Sequence, residues 1–182
     1  LRGHQLALPA DLALLIKAAN DAGLNNVNFY TYYGAVTGSP TAMGAGAAGR
    51  VYMVAYAHAN LPGEINRIVV DYKKKFNDDM YTDAIYNGFA MLSDAFVKAK
   101  STDPVKVAKV MEGMKFKGFN GEVEMRKTDH QLQQGLFITK WEKAGGKYPI
   151  DAENTGYTFV PVKYYEPYVA STPTSCDMKR PS

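Results

Sequence analysis

The chain has 182 residues, enough to bury a substantial core in one domain or slightly more. Hydrophobic residues at 46% and charged residues at 21% are ordinary soluble values, and no apolar run approaches membrane-spanning length. A net charge of +3 gives no electrostatic case for nucleic acid, because the densest basic run, Lys73-Lys74-Lys75, lies in a helical pattern after Val69, Val70 and Tyr72 and reads as a solvated helix face.

Residues 1–9 have no clear period, and nothing at Leu1 looks like a signal peptide. Asp11 then caps a pattern of Leu12, Leu14, Leu15, Ala18, Ala19 and Ala22 that ends at Gly23, a helix marked at both termini. Val27 to Tyr33 is rich in β-branched and aromatic residues and reads as a strand. Gly34 to Gly49 is broken by Gly38, Ser39, Pro40 and Gly44, so a loop is expected, with a short helix started by Pro40. Arg50 to Tyr56 gives a second strand. Leu61-Pro62-Gly63-Glu64 then turns the chain into a helix through Ile65, Ile68, Val69 and Tyr72.

The stretch from Asn77 to Ala99 is the central element of the chain. Ile85, Phe89, Leu92 and Phe96 recur at spacings of four, three and four and predict a core-facing helical stripe. Asp78, Asp79 and Asp83 crowd its first turns, where carboxylates suit the positive end of the helix dipole, with Tyr81 and Tyr86 beside them. Ser101-Thr102-Asp103-Pro104 caps a further short helix carrying Val105, Val107, Val110 and Met111. Gly121 to Arg126, Gly135 to Lys143 and Tyr157 to Tyr165 are then expected as strands, with Gly145-Gly146 as a turn. Residues 171–182 are proline-rich and polar and are expected to be loosely ordered unless something docks them. The first element is a helix with no strand before it, whereas parallel sheets grow from strand, helix, strand units, so a fragment lacking its first strands is expected.

Thirteen tyrosines suit a chain that lines a semi-polar cleft or interface, since tyrosine packs its ring and keeps a polar tip. Gly44-Ala45-Gly46-Ala47-Ala48-Gly49 satisfies G-x-G-x-x-G, with Asp71 at about the spacing of a ribose-binding acid. Nucleotide binding needs a strand before those glycines and a helix after them, and here the order is reversed. There is no G-x-S-x-G, and the lone Cys176 has no histidine near it and makes no disulfide within the chain; in a secreted parent its partner lies outside these residues. His4, His58 and His130 lack metal spacing, and Asp78, Asp79 and Asp83 match no calcium loop. Catalytic residues, metal and cofactor are therefore all expected to be absent.

Several segments taken together carry a resemblance. They are Asp11-Leu-Ala-Leu-Leu-Ile-Lys-Ala-Ala with Ala22-Gly23-Leu24, then Asn28-Phe29-Tyr30, Ala47-Ala48-Gly49-Arg50-Val51 and Asp71-Tyr-Lys-Lys-Lys-Phe. They continue with Ala84-Ile-Tyr-Asn-Gly-Phe-Ala-Met-Leu, Ser101-Thr-Asp-Pro, Gly118-Phe-Asn-Gly-Glu-Val and Asp129-His130-Gln131. In order and spacing, from about Asp11 to about Pro173, the chain resembles the C-terminal half of a type I periplasmic binding protein of the leucine/isoleucine/valine-binding branch of ABC-transporter solute receptors.

The resemblance implies an α/β, Venus-flytrap fold in which two lobes joined by hinge strands clamp a small solute, with parallel α/β units followed by short C-terminal strands. Residues 1–60 would form part of the second lobe, 61–120 a segment returning to the first, 121–170 hinge-crossing strands and second-lobe elements, and 171–182 a tail. The missing N-terminal half would carry the signal peptide, most of the first lobe and the loops that hold the substrate carboxylate. Implied partners are that half, a membrane ABC permease and a small solute, an amino acid or an organic or aromatic acid; the implied location is periplasmic.

Where amino-acid-binding relatives place an acidic residue after the first strand, this chain has Tyr33, preceded by Tyr32. Where they place an aromatic wall at the start of the central helix, it has Asp83, with Tyr81 beside it. Tyr32, Tyr33, Tyr81 and Asp83 are thus the candidate ligand-binding residues. They suit an aromatic acid, a polar amide, or an amino acid whose ammonium meets Asp83. The same fold also serves as the ligand-sensing domain of receptors and regulators. An unrelated small α/β enzyme would instead show a titratable pair in a pocket.

Overall fold

The computed structural model describes residues 9–32, 34–55, 59–60, 64–81, 83–119 and 121–180. In chain order the elements are α1 (Pro9–Asp21), β1 (Phe29–Thr31), α2 (Ser39–Met43), β2 (Val51–Ala55), α3 (Glu64–Phe76), α4 (Asp83–Ala99), α5 (Pro104–Met111), β3 (Lys115–Gly118), β4 (Gly121–Met125), β5 (Leu132–Gln133), β6 (Leu136–Lys143) and β7 (Tyr157–Tyr165). They fall into two units, residues 1–81 with 137–164, and residues 82–136 with 165–182. The chain passes from one unit to the other at three places in its sequence.

In the first unit, α1 ends as its sequence predicts. Gly23 takes a left-handed φ of 71°, which lets the Leu24 N–H reach back to the Ala19 carbonyl at 2.8 Å. Asp11 lies inside the first turn and not ahead of it, a position that still favours the dipole. Leu12, Ile16 and Ala19 form the buried face, whereas Leu14 and Leu15 point outward.

β1 and β2 pair in parallel, Phe29 opposite Val51, and β6 joins β2 antiparallel, Tyr52 opposite Lys140, to give the order β1-β2-β6-β7. The loop between β1 and β2 does contain the short helix predicted at Pro40. The glycine run ends this helix, makes a 3-10 turn at Ala45–Ala47 and leads directly into β2. Its place is fixed by Trp141, fully buried on β6, whose indole N–H donates to the Gly44 carbonyl at 2.7 Å. The Trp141 ring packs on Phe159 and Tyr157 of β7, with centroids 4.9 and 5.9 Å away. Leu12, Ile16, Phe29, Met43, Val51 and Met53 close the same core.

The second unit is built on α4, α5 and the antiparallel sheet β3-β4-β5 around Met91, Ala95, Val107, Met114 and Val123. Asp103 caps α5 as its sequence predicts, accepting the Lys106 N–H at 2.9 Å. Two expectations for α4 are corrected. The helix starts at Asp83, so Asp78 and Asp79 precede it and do not cap it. Among its described side chains Asn87, Met91 and Ala95 are buried, whereas Ile85, Phe89 and Phe96 of the predicted stripe are exposed. Periodicity locates an apolar face but does not say which apolar face meets the core of this chain.

The tail is docked rather than loose. The Arg126 guanidinium, oriented by Asp129 at 2.8 Å, donates to the Thr172 carbonyl at 2.6 Å, and Arg180 donates to Glu112 at 2.5 Å. Burial works against it, but the hydrogen bond from Arg126 dominates and holds the Asp129 carboxyl well below the usual carboxylate range. Cys176 is exposed in this segment.

Asn87 and Gly118 form a tight pair. The buried Asn87 amide oxygen accepts the Phe119 N–H at 3.0 Å, and a Cβ on Gly118 would stand 2.6 Å from that oxygen. Gly118→Ala is therefore expected to cost about 1–3 kcal/mol in urea unfolding, and Asn87→Ala a similar amount by stranding a buried N–H. In the double variant the total cost should be clearly less than the sum of the two, because Asn87→Ala removes the atoms that the new methyl strikes.

Candidate functional site

The predicted residues separate along the chain. Tyr32, 47% exposed, follows β1 in the first unit; Tyr81 is the last residue of that unit's first segment; Asp83 opens α4 in the second. Tyr33 and the Asp83 side chain lie outside the described residues.

Around Tyr81 the first unit assembles a polar cluster that the sequence pattern does not reveal. Its hub is Glu153, in the turn between β6 and β7, where Glu153 and Asn154 both adopt left-handed backbone with φ of 51° and 56°. The Glu153 carboxylate accepts the Gly38 N–H at 2.5 Å, the Thr41 N–H at 2.8 Å and the Thr41 hydroxyl at 2.5 Å, and it also accepts the Tyr81 hydroxyl. These bonds complete the N-terminus of α2. Gly38, at the N-cap with φ of 85°, has no side chain to cap with, Pro40 has no N–H, and the Ser39 N–H already goes to the Val36 carbonyl. A carboxylate distant in sequence thus supplies the missing cap, at the end of the helix where negative charge is favoured.

A second carboxylate locks the hub in place. Asp79 accepts the Glu153 N–H at 2.6 Å and pairs with Lys73 at 2.7 Å, and Lys73 also reaches Asp151 at 3.2 Å. Lys73 and Asp79 are each 17% exposed, which corrects the reading of the lysine run: Lys74 and Lys75 are solvated, but Lys73 is an ion-pair partner between two acids. Among the described residues no group of three or more His, Cys, Asp or Glu side chains is placed to hold a metal ion.

Burial and the Glu153 carboxylate push the Tyr81 phenol far up, so it stays a protonated donor at any physiological pH. Burial opposes ionisation of Glu153, but hydrogen bonds from Thr41, Tyr81 and Gly38 outweigh it and hold its carboxyl below the usual value. Tyr81 therefore presents a fixed ring, its proton already committed to Glu153. Each carboxylate of the cluster and the Tyr81 hydroxyl is engaged in a hydrogen bond or ion pair, so the arrangement orients side chains. Nothing local in the sequence signals it, because Glu153 lies 72 residues from Tyr81 and 112 from Thr41.

Comparison with known proteins identifies the fold. Residues 5–147 match the family described as periplasmic binding protein. No curated protein matches the chain. Among solved structures, the closed leucine-, isoleucine-, valine-, threonine- and alanine-binding protein from Brucella ovis is 28% identical with a TM-score of 0.80, over 94% of this chain and 45% of that one. A leucine-binding protein from Thermotoga maritima is 18% identical with a TM-score of 0.66, over 90% and 44%. An ABC-transporter solute-binding protein from Rhodopseudomonas palustris BisB5, in complex with 3,4-dihydroxybenzoic acid, is 19% identical with a TM-score of 0.66, over 85% and 42%. The chain spans less than half the length of these structures.

Because its folded carboxyl is depressed, Glu153 stabilises the fold fully above the ordinary glutamate value of 4.5 and loses that contribution as pH falls toward the lowered one. Glu153→Gln is expected to cost about 1–3 kcal/mol in urea unfolding at neutral pH. At about pH 3 the gap between variant and parent should shrink. A gap independent of pH would show that the carboxylate charge does not contribute.

Proposed function

Since the chain belongs to the periplasmic binding protein family, we propose that it forms part of the solute-binding subunit of an ABC transporter, a periplasmic receptor that captures a small amino-acid-like or aromatic acid and passes it to a membrane permease. The match across residues 5–147 carries this reading, and the fold shared with the Brucella ovis protein supports it. On this reading the protein binds its solute and releases it unchanged. Solute contacts on both lobes favour the closed state, and only a ligand that reaches both lobes shifts the population.

We assign Tyr32, Tyr33, Tyr81 and Asp83 as this chain's share of the site. With its hydroxyl committed to Glu153, Tyr81 offers a ring face, which suits a planar or aliphatic solute body. Asp83 is the one carboxylate of the set and would meet a cationic or hydroxyl group. Two named ligand classes among the neighbours frame the choice: aliphatic amino acids in one and a hydroxylated benzoic acid in another.

The rest of the site lies on polypeptide that this chain does not span. If a complete receptor binds at about micromolar level, near 8 kcal/mol, and the contacts are shared, one half keeps about 4 kcal/mol, a millimolar affinity. The screen therefore uses the full-length protein that carries this chain. Leucine, valine, threonine, alanine, 4-hydroxybenzoate and 3,4-dihydroxybenzoate are each tested by thermal shift. A true solute at about a hundred times its dissociation constant should add about 2.7 kcal/mol and raise the melting point by degrees. A silent panel would overturn the assigned solute classes. With the active compound, Asp83→Ala should weaken binding by more than about tenfold, while an exposed cap alone is worth about 1 kcal/mol of stability. If stability falls and affinity does not, Asp83 is a cap and not a ligand contact.

A further inference from the structure

The Glu153 carboxylate receives two donors on each oxygen: the Gly38 N–H and the Tyr81 hydroxyl on one, the Thr41 N–H and the Thr41 hydroxyl on the other. That fills the lone pairs a carboxylate offers. The protons around it are spent as well. The Glu153 N–H goes to Asp79, and the Lys73 ammonium faces Asp79 Oδ1 at 2.7 Å, the Asp151 carbonyl at 2.5 Å and Asp151 Oδ1 at 3.2 Å, one oxygen for each of its protons. Asp79, Asp151 and Glu153 stand against the single ammonium of Lys73, and all four residues belong to the first unit. A phenol has one proton. With it given to Glu153, the half-buried Tyr81 still offers a ring face and an oxygen that can only accept.

We propose that Glu153 is a positioning residue of the solute site: acting through Tyr81, it holds the ring and makes the phenol oxygen an obligate acceptor, so that the solute group meeting Tyr81 carries an N–H or O–H and not a carboxylate. This deepens the receptor reading and rests on it, and on the place given there to Tyr81. Electrostatics act in the same direction. A solute carboxylate approaching Tyr81 would meet Glu153 and Asp79 as like charges, whereas an ammonium or a phenolic hydroxyl finds an acceptor. Without Glu153 the phenol proton turns freely, Tyr81 donates as readily as it accepts, and the ring loses its anchor. The cap on α2 is a separate duty of the same carboxylate. It affects stability, and it does not pass through Tyr81.

The test is a double-mutant cycle in the full-length protein that carries this chain, with affinity read by titration calorimetry and stability by urea unfolding. The probes are leucine, valine, threonine, alanine, 4-hydroxybenzoate and 3,4-dihydroxybenzoate. For a probe that binds, Glu153→Ala should weaken affinity at least about tenfold alone, but by less than about twofold when added to Tyr81→Phe. Its cost in stability should persist in both backgrounds, because the cap of α2 is lost in each. Equal losses of affinity in the two backgrounds, or no loss in either, would overturn the proposal and leave Glu153 a helix cap. Polarity is read by pairing the active probe with its analogue lacking the donor, benzoate for 4-hydroxybenzoate or 4-methylpentanoate for leucine. The parent protein should disfavour the analogue, and Tyr81→Phe should shrink that preference at least about threefold; an unchanged preference would also overturn the proposal. Should Glu153→Ala not fold, Glu153→Asp, which keeps the charge but draws it back by one methylene, takes its place in the cycle. If the parent protein binds none of the probes, the receptor reading falls and this proposal with it, whereas binding that shows no coupling between Glu153 and Tyr81 overturns this proposal alone.

Discussion

The first unit depends on a strand that arrives late. β1 and β2 alone are a short parallel pair of three matched positions, too little to hold α1 and α2 against water. The sheet gains its remaining width from β6 and β7, which the chain supplies only after the excursion through residues 82–136. Trp141 is the residue through which that late strand acts: its backbone carbonyl accepts the Gly49 N–H at 2.8 Å while its indole holds Gly44. Both ends of the glycine run are thereby set by one side chain and its own peptide. Long-range pairing of this kind requires a large loop to close before the first core is complete.

Glu153 imposes the second long-range condition. A loop that carries five glycines and a proline within residues 34–49 has few side chains left to cap its own helix, and Gly38 contributes only backbone. Glu153 satisfies that helix, the Tyr81 hydroxyl and, through its own N–H, Asp79. The segment between α3 and residue 81 is consequently held where the chain leaves the unit. Lys73 balances the charge of Asp79 and Asp151, so the cluster carries two acids, one base and a capping carboxylate on a helix terminus, each with a partner.

How much of the structure is legible in the sequence depends on the range of each interaction. Gly23, Asp103 and Pro40 mark their helices through contacts within five residues, and the sequence pattern names them correctly. Element order alone argues against the glycine run as a nucleotide loop, and the chain runs from it straight into β2. β3 gives no signal because Lys115-Phe116-Lys117-Gly118 offers a single apolar side chain to an alternating pattern, and β5 none because two residues carry no period. The Glu153 hub is invisible, since its partners lie 72 to 115 residues away and nothing in Asp151-Ala-Glu-Asn-Thr-Gly distinguishes a capping loop from a solvated one. Helix α4 misleads for a different reason. Its predicted stripe is real, but the helix is apolar on both sides, and the smaller Met91 and Ala95 take the inner position because α5 packs close against them.

That choice leaves the two units unequal. The first unit meets its own needs: α1 packs its apolar face on the sheet, the long-range cap of α2 is satisfied, and the largest aromatic is buried at the centre. In the second, a buried cluster of five apolar residues forms around α4 and α5 among the described residues, and a row of large side chains stays on the far side of the same helix. Burial of a Phe, Ile or Val side chain is worth about 1.5–3 kcal/mol each, comparable in sum to the whole stability of a small domain. A unit of this size with half of its central helix in water sits near the limit of independent stability. Helix α4 thus turns Met91 and Ala95 into the core it shares with α5 and leaves Ile85, Phe89 and Val97 on its exposed side.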